Sequence, residues 1–138
     1  MAAPFGIKGL DHVVLRYRDV AQGVRFYCGV LGCTVEKLQP EFGLTQLRAG
    51  ASLIDLIDMA SAACRAGGAA PAKEGRNLDH FCLSIVPWDG EAIRAHLAAH
   101  GIAAGEVVSR YGAEGQGPSL YLHDPEGNQV ELKGPPAG

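Results

Sequence analysis

An internal repeat constrains this chain more than any other feature of its sequence. The segment Leu10-Asp11-His12-Val13-Val14-Leu15 returns half a chain later as Leu78-Asp79-His80-Phe81-Cys82-Leu83, with four of the six positions identical. Both copies have the apolar, partly β-branched composition that predicts a strand. A chain that repeats itself in this way is typically built from two copies of one structural unit.

A helical pattern follows each copy of the repeated strand. In the first half, Asp19 stands in the N-cap position, apolar residues recur at helical spacing after it, and Gly32 ends the run. In the second half, Asp89 takes the cap position and Gly101 ends the helix. Each half therefore predicts a strand followed by a helix that a glycine terminates.

Three further strands are predicted after each helix: Cys33–Leu38, Leu44–Ala49, Ser52–Asp58, Glu106–Tyr111, Ser119–His123 and Gln129–Lys133. The order strand, helix, strand, strand, strand in each half predicts an α+β fold of two tandem βαβββ modules. Module one spans about residues 7–59 and module two about 77–134. The Ala- and Gly-rich segment 60–76 is a linker with at most a short helix. The length of 138 residues predicts one domain, residues 1–138.

Strand alternation sorts the side chains of these strands onto two faces. Apolar residues occupy the positions expected to face the helices, and the opposite face carries His12, Asp55, His80 and Glu131. Two imidazoles and two carboxylates thus stand at repeat-related positions. If both faces turn inward, the four side chains converge. Such a set suits one divalent metal ion, Ni, Co, Zn, Mn or Fe(II).

The composition excludes several classes of function. Twelve Lys and Arg against fifteen Asp and Glu give a net charge of −3, so the basic surface of a nucleic-acid-binding protein is missing. No apolar run approaches the ~20 residues that span a membrane, and Met1–Gly9 has no apolar core of signal-peptide length. Four cysteines without a Cys-x-x-Cys motif fit a reducing compartment. We therefore expect a cytoplasmic protein that acts on a small molecule.

At these residues the sequence resembles the vicinal oxygen chelate superfamily. That group includes glyoxalase I, extradiol dioxygenases, fosfomycin-resistance enzymes, methylmalonyl-CoA epimerase and bleomycin-binding proteins. The resemblance covers almost the whole chain, and its most specific parts are the duplicated strand segment, residues 26–32 and residues 121–132. It implies a cupped, barrel-like mixed sheet with helices outside, a bound metal ion, a substrate that chelates the ion through two adjacent oxygens, and a homodimer.

The resemblance also implies a ligand set. His12, His80 and Glu131 match the metal ligands that the superfamily usually retains, and Asp55 matches the fourth ligand, which is Glu in glyoxalase I. Because Asp is one methylene shorter, Asp55 either ligates at longer reach, binds through water or leaves the position open. The carboxylates of glyoxalase I also shuttle the proton, which makes Glu131 and Asp55 the candidate catalytic residues. The ligands come from one chain or from two chains of a dimer.

Further polar side chains are candidates for the substrate pocket: Arg16, Arg48, Cys82, Tyr121 and His123. Either arginine would pair with an anionic substrate group, and Tyr121 would donate a hydrogen bond to a substrate oxygen. Cys82 is a soft extra ligand, an oxidation-prone thiol or small filler. The Gly-rich segment 112–117 predicts a flap or hairpin beside the pocket. His96 and His100 share a helix face without a third ligand, and we expect them to be solvated.

The leading hypothesis is a divalent-metal-dependent enzyme with glyoxalase-type lyase or isomerase chemistry, because all four ligand-type residues are present. One alternative is an extradiol-type Fe(II) dioxygenase with His12, His80 and Glu131 as a two-histidine, one-carboxylate triad. The other is a metal-free ligand-binding protein like the bleomycin-resistance proteins. Ni, Co or Zn favours the first hypothesis and oxygen-sensitive Fe(II) the second.

Overall fold

The computed structural model of the chain describes residues 3–4, 7–68 and 75–136. The chain divides into two compact units, Met1–Ala70 and Pro71–Gly138. The division falls within the linker predicted from the sequence, whose residues 69–74 lie outside the described residues. No helix in the described part of the chain is long and apolar enough to cross a membrane.

Each unit contains one four-stranded mixed sheet. The elements of the first unit are β1 (His12–Tyr17), α1 (Val20–Val24), β2 (Thr34–Gln39), β3 (Leu44–Ala49), β4 (Ser52–Asp58) and α2 (Ala62–Arg65). Those of the second are β5 (His80–Ser84), α3 (Gly90–Ala99), β6 (Val108–Gly112), β7 (Gly115–His123) and β8 (Gln129–Lys133). Helix α2 lies in the predicted linker and is the short helix that was considered possible there.

The two sheets have the same topology. Their strand orders are β1-β4-β3-β2 and β5-β8-β7-β6. In both, the first strand pairs in parallel with the last, and the other neighbours are antiparallel. A parallel pair needs a long crossover, which the helix and the two intervening strands supply. The prediction of an α+β fold with two βαβββ modules is thereby confirmed.

Both helices begin and end where the sequence predicts. The Asp19 carboxylate accepts a hydrogen bond from the Gln22 backbone N–H, and Asp89 accepts one from Ala92, each over 3.1 Å. Gly32 and Gly101 have φ of +82° and +74°, a region that favours glycine after a helix.

The interior of the first helix differs from the prediction. It is α-helical only over α1 and continues as a π-helix over Arg25–Val30. Both aromatic residues of this segment, Phe26 and Tyr27, are buried, and their rings meet edge to face with centroids 4.9 Å apart. A regular apolar spacing does not reveal such a widened turn, because the same residues also fit an α-helix.

Several strand limits also differ from the prediction. The two repeated strands begin at His12 and His80 rather than at the preceding leucines, and β6 begins at Val108 rather than at Glu106. Strand β7 begins at Gly115, four residues before the predicted start, because β6 and β7 form a tight hairpin in which Gly112 pairs with Gly115. A flap or a hairpin was predicted for the Gly-rich segment 112–117, and the structure forms the hairpin.

Helix α1 packs closely on one face of the first sheet. Leu15, Tyr17, Ile54 and Leu56 fill this face and are at most 4% exposed. A Cβ atom on Gly23 would lie 2.7 Å from Tyr17 Cε2 and 2.8 Å from Leu56 Cδ1. The predicted division of the strands into an apolar helix-facing side and a polar side therefore holds in this unit.

Replacing Gly23 by Ala is expected to lower the free energy of unfolding by about 1–2 kcal/mol. Overpacking costs about 1–3 kcal/mol, and the helix preference of Ala over Gly offsets about 0.5–1 kcal/mol of it. Gly29→Ala is the matched control, because a Cβ atom there meets nothing within 4 Å. That variant is expected to be neutral or more stable than the native protein in urea unfolding. Equal destabilisation by both substitutions would contradict the close approach of α1.

Candidate metal centre

The strand register places one histidine and one carboxylate on the same face of each sheet. In the first unit, Leu53 lies opposite His12 and Asp55 lies opposite Val14. In the second unit, Gln129 lies opposite His80 and Glu131 lies opposite Cys82. Paired residues on neighbouring strands point to the same side, so His and carboxylate are diagonal neighbours in both units. The equivalence inferred from the repeat is thus reproduced by the register.

The pair in the second unit is in direct contact. His80 Nε2 lies 3.2 Å from Glu131 Oε1, and His80 Nδ1 lies 2.7 Å from Asp79 Oδ2. An ionised carboxylate only accepts hydrogen bonds, and a neutral imidazole carries a single N–H. One neutral ring therefore cannot donate a proton at both nitrogens. A cation between Nε2 and Oε1, either a second ring proton or a metal ion, would stabilise this arrangement.

Glu131 is held by hydroxyl groups of the neighbouring strand. It is 6% exposed, and Ser119 Oγ donates a hydrogen bond to its Oε2 over 2.6 Å. Burial alone would raise the pKa of this carboxyl, but hydrogen bonds from Ser119 and Tyr121, with His80 close by, outweigh it and lower the pKa. The Tyr121 ring also meets the His80 ring edge to face, with centroids 5.5 Å apart. Glu131 is therefore kept as an anion in a fixed orientation.

The pair in the first unit is arranged differently. His12 Nδ1 lies 2.7 Å from Asp11 Oδ2, and this hydrogen bond, with the charge of Asp55, raises the pKa of His12. Asp55 is 2% exposed, and Gln46 Nε2 donates to its Oδ2 over 3.0 Å. Gln46 in turn accepts a hydrogen bond from Gln39 over 2.7 Å. The role that Tyr121 has beside Glu131 is thus taken by an amide beside Asp55.

One oxygen of Asp55 has no partner. Its Oδ1 atom is buried without a hydrogen bond among the described residues. A buried carboxylate oxygen without a donor is costly, and most buried polar atoms avoid that state. A bound cation is one group that would satisfy this oxygen.

The donor set fits a divalent ion of borderline hardness. The Nδ1 atom of each imidazole is hydrogen-bonded to a carboxylate, which leaves Nε2 as the nitrogen that can ligate a metal. This arrangement is common among metal-ligating histidines. Each unit adds one buried carboxylate, Asp55 in the first and Glu131 in the second. Among the described residues, no three or more His, Cys, Asp or Glu side chains form a group that could hold a metal ion. Each unit alone thus offers an imidazole and a carboxylate.

The predicted pocket residues have varied surroundings. Arg16 Nη2 donates to the Gly67 carbonyl over 2.7 Å, so it holds the segment after α2. Arg48 Nε donates to Glu36 Oε1 over 3.1 Å, and this ion pair raises the pKa of Arg48 and lowers that of Glu36. Tyr121 lies beside Glu131 and lowers the pKa of its carboxyl, and His123 is exposed on β7. Their roles toward a substrate stay predictions.

Cys82 lies beside Glu131 and is poorly reactive. Burial raises the pKa of its thiol to about 11, and the charge of Glu131 adds to this effect, while Lys133 opposes it. A thiol with so high a pKa has little thiolate near neutrality. The Cys82 residue is exposed at the wall of a cavity that Glu131 also lines, and its thiol stays largely protonated near neutrality.

Alkylation of Cys82 by iodoacetamide at about pH 8 in EDTA is expected to be about tenfold slower than that of glutathione. The smaller thiolate fraction outweighs the greater nucleophilicity of a high-pKa thiolate. In Glu131→Gln the reaction should speed up severalfold, because the negative neighbour is gone. Peptide mass spectrometry separates Cys82 from Cys28, Cys33 and Cys64, all of which are free thiols. An unchanged rate in the variant would contradict the influence of Glu131.

Asp11, Asp79 and Ser119 are among the residues of this site that were not predicted as part of it. Asp11 and Asp79 orient the two imidazoles, and Ser119 holds Glu131. A signal for the first two was present, because the dipeptide Asp-His itself is repeated. Ser119 shares its face with Tyr121, but strand parity alone does not tell which neighbour a hydroxyl group contacts.

Comparison with known proteins agrees with the fold. The family model described as Glyoxalase/Bleomycin resistance protein/Dioxygenase superfamily matches residues 9–132. A virulence protein from Salmonella typhimurium is 25% identical with a TM-score of 0.76, over 96% of this chain and 100% of that one. An integron cassette protein from V. cholerae is 26% identical with a TM-score of 0.74, over 94% and 97%. Lactoylglutathione lyase from Agrobacterium tumefaciens is 20% identical with a TM-score of 0.65, over 93% and 94%, a likeness of fold alone.

Proposed function

The chain belongs to the Glyoxalase/Bleomycin resistance protein/Dioxygenase superfamily, and we propose that it is a divalent-metal-dependent enzyme with glyoxalase-type lyase or isomerase chemistry. Its substrate is a small molecule that chelates the ion through two adjacent oxygens. The observation that carries the proposal is the contact between His80 Nε2 and Glu131 Oε1, which a bound metal ion would stabilise in place of a second ring proton. Superfamily members generally use a divalent metal, which favours the ion.

The proposed ligands are His12, His80, Glu131 and Asp55. Each unit contributes an imidazole and a carboxylate, whereas a catalytic site of this kind commonly has three protein ligands and an open position. We therefore expect the ligands to come from the two repeat-related modules, either of one chain or of two chains of a homodimer in the cytoplasm. The unpartnered Oδ1 of Asp55 supports its place in the set.

Within this site the residues of the chain have separate tasks. The bound ion supplies Lewis-acid polarisation of the two substrate oxygens. Asp11 and Asp79 fix the ring orientation of the two histidines, and Ser119 with Tyr121 holds Glu131 ionised. An ionised carboxylate, Glu131 or Asp55, accepts a proton from the substrate carbon and returns it to the neighbouring atom.

The test is the metal content of the purified protein, compared with a His12→Ala, His80→Ala double variant. The control is His96→Ala, His100→Ala, which removes one exposed imidazole from helix α3 and one from the residue that caps its C-terminus. We expect about one divalent ion per chain in the native protein and the control, and a loss in the first variant. Elemental analysis gives both the amount and the identity of the ion.

The identity of the ion then selects the assay. Ni, Co or Zn leads to an assay of lactoylglutathione formation, and Fe(II) leads to an assay of catechol ring cleavage. Activity in the first supports the proposal, and activity in the second alone replaces it by the dioxygenase. A native protein that takes up none of Ni, Co, Zn, Mn and anaerobic Fe(II) would overturn the metalloenzyme and favour a ligand-binding protein.

A further inference from the structure

A buried lysine on the last strand of the second unit has no acidic partner in the described part of the chain. Lys133 is 7% exposed, and its ammonium donates to the Gly134 carbonyl over 3.5 Å. No carboxylate lies within 4.0 Å of this ammonium among the described residues. Burial of an uncompensated charge is costly. A cation retained in this state is suited to an anion that arrives from outside the chain.

The β6–β7 hairpin holds the lysine stem in place. A Cβ atom on Gly112 would lie 2.9 Å from Lys133 Cε, and one on Gly117 would lie 3.0 Å from Nζ. The two glycines therefore leave a slot through which the side chain passes. With the stem fixed, the ammonium loses little further rotamer freedom when it binds an anion.

Lys133 lines the same cavity as the candidate metal ligands of this unit. The cavity has a volume of about 310 Å³, and its walls include His80, Glu131, Ser84 and Lys133. Glu131 and Lys133 are two residues apart on one strand, so they share a face about 7 Å apart. Ser84 pairs with Lys133 across β5 and β8 and places an exposed hydroxyl beside it. The turn residue Glu114 also lines the cavity but makes no ion pair with the lysine.

The lysine is not needed to keep Glu131 ionised. The pKa of that carboxyl is lowered by Ser119, Tyr121, His80 and Cys82. The charge of Lys133 acts on Cys82, whose thiol pKa it lowers against the larger effect of burial. The ammonium is thus a positive charge in the same cavity as His80 and Glu131 that the pKa of Glu131 does not depend on.

We propose that Lys133, with Ser84, binds an anionic group of the substrate, a carboxylate or a phosphoryl group, that lies a few bonds from the two metal-chelating oxygens. The inference rests on the proposed function, because the chelating end of the substrate is assigned there. It narrows the substrate class to small anionic molecules. Lysine acts as a point charge, so this site accepts planar and tetrahedral oxyanions alike.

The test compares ligands that differ only in the distal anion. Malate is compared with α-hydroxybutyrate for a carboxylate, and 3-phosphoglycerate with glycerate for a phosphoryl group. Calorimetric titration into the metal-loaded native protein is expected to show roughly tenfold tighter binding of the anionic member of at least one pair. Lys133→Met is expected to abolish that preference without loss of metal.

Three further variants separate the charge from the fold. Lys133→Arg keeps the charge and should retain part of the preference, and Ser84→Ala should reduce it severalfold. Lys37→Met is the matched control, because it makes the same substitution at an exposed lysine of β2 and should change nothing. Equal binding of both members of both pairs by the native protein, or a preference that survives Lys133→Met, would overturn the inference.

A metal-free arm of the experiment distinguishes failure of the anion site from failure of the proposed metalloenzyme function. In EDTA, malate or 3-phosphoglycerate is expected to raise the melting temperature of the native protein more than its uncharged-tail counterpart, and Lys133→Met should lose this difference. A protein that takes up no metal but shows the difference refutes the metalloenzyme and retains the anion site. A protein that binds metal but shows no difference in either arm retains the metalloenzyme and refutes the anion site.

Discussion

Replacing Glu131 by Gln is expected to lower divalent-metal affinity at least about 100-fold, more than the loss of a residue that merely orients a ligand. The amide removes the charge that faces His80 Nε2 over 3.2 Å, and with it the reason for a cation between the two atoms. If Glu131 also moves the proton, turnover falls by about 10²–10⁴-fold beyond the loss of metal. Competition with a chromophoric chelator measures the first effect, and assays at saturating metal measure the second.

Two companion variants make this result specific. Glu106→Gln removes a carboxylate that is exposed and lies outside the cavity, and it should leave metal affinity unchanged. Asp55→Asn tests the other carboxylate. If Asp55 is the proton carrier, Asp55→Asn should retain metal better than Glu131→Gln but lose more turnover at saturating metal. Retention of metal and turnover in Glu131→Gln would contradict the proposed ligand set.

The sequence predicts the module order and the faces of the strands because both follow from period-2 alternation and a repeated segment. Strand alternation predicts that His12 and Asp55, and likewise His80 and Glu131, lie on one face of their sheet, and the strand register agrees. The first and last residues of the helices are also predictable from the sequence, because Asp caps and terminal glycines act locally. These features depend on short stretches of chain.

What the sequence does not predict depends on contacts between strands. The hydrogen bond from Gln46 to Asp55 and that from Ser119 to Glu131 each join residues on neighbouring strands, whose register is a tertiary property. The same holds for Lys133. Its position on the face of Glu131 follows from parity, but its burial follows from two glycines in another hairpin. The sequence shows that Asp55 is shorter than the Glu of glyoxalase I, but the length of the side chain does not predict its amide partner.

Replacing Ser119 by Ala is expected to destabilise the protein by about 2 kcal/mol at neutral pH. Ser119 is fully buried, and its hydroxyl donates to an ionised, buried carboxylate over 2.6 Å, a charge-assisted hydrogen bond worth about 1.5–3 kcal/mol. Ser109→Ala is the matched control, because Ser109 is exposed, and a change within about 0.5 kcal/mol is expected there.

The effect of Ser119→Ala should depend on pH in a defined direction. Because the folded protein lowers the pKa of Glu131 from its ordinary 4.5, the ionised form stabilises the fold above that pH, and this contribution is lost as pH falls below it. The variant loses a donor that lowers the pKa, so its deficit in unfolding free energy should be largest near neutrality and shrink toward about pH 3. Urea unfolding at several pH values measures this. A deficit independent of pH would mean that Ser119 acts through packing alone.

The raised pKa of Glu131 in the variant should also move half-maximal metal uptake to higher pH, because protons then compete better for the carboxylate.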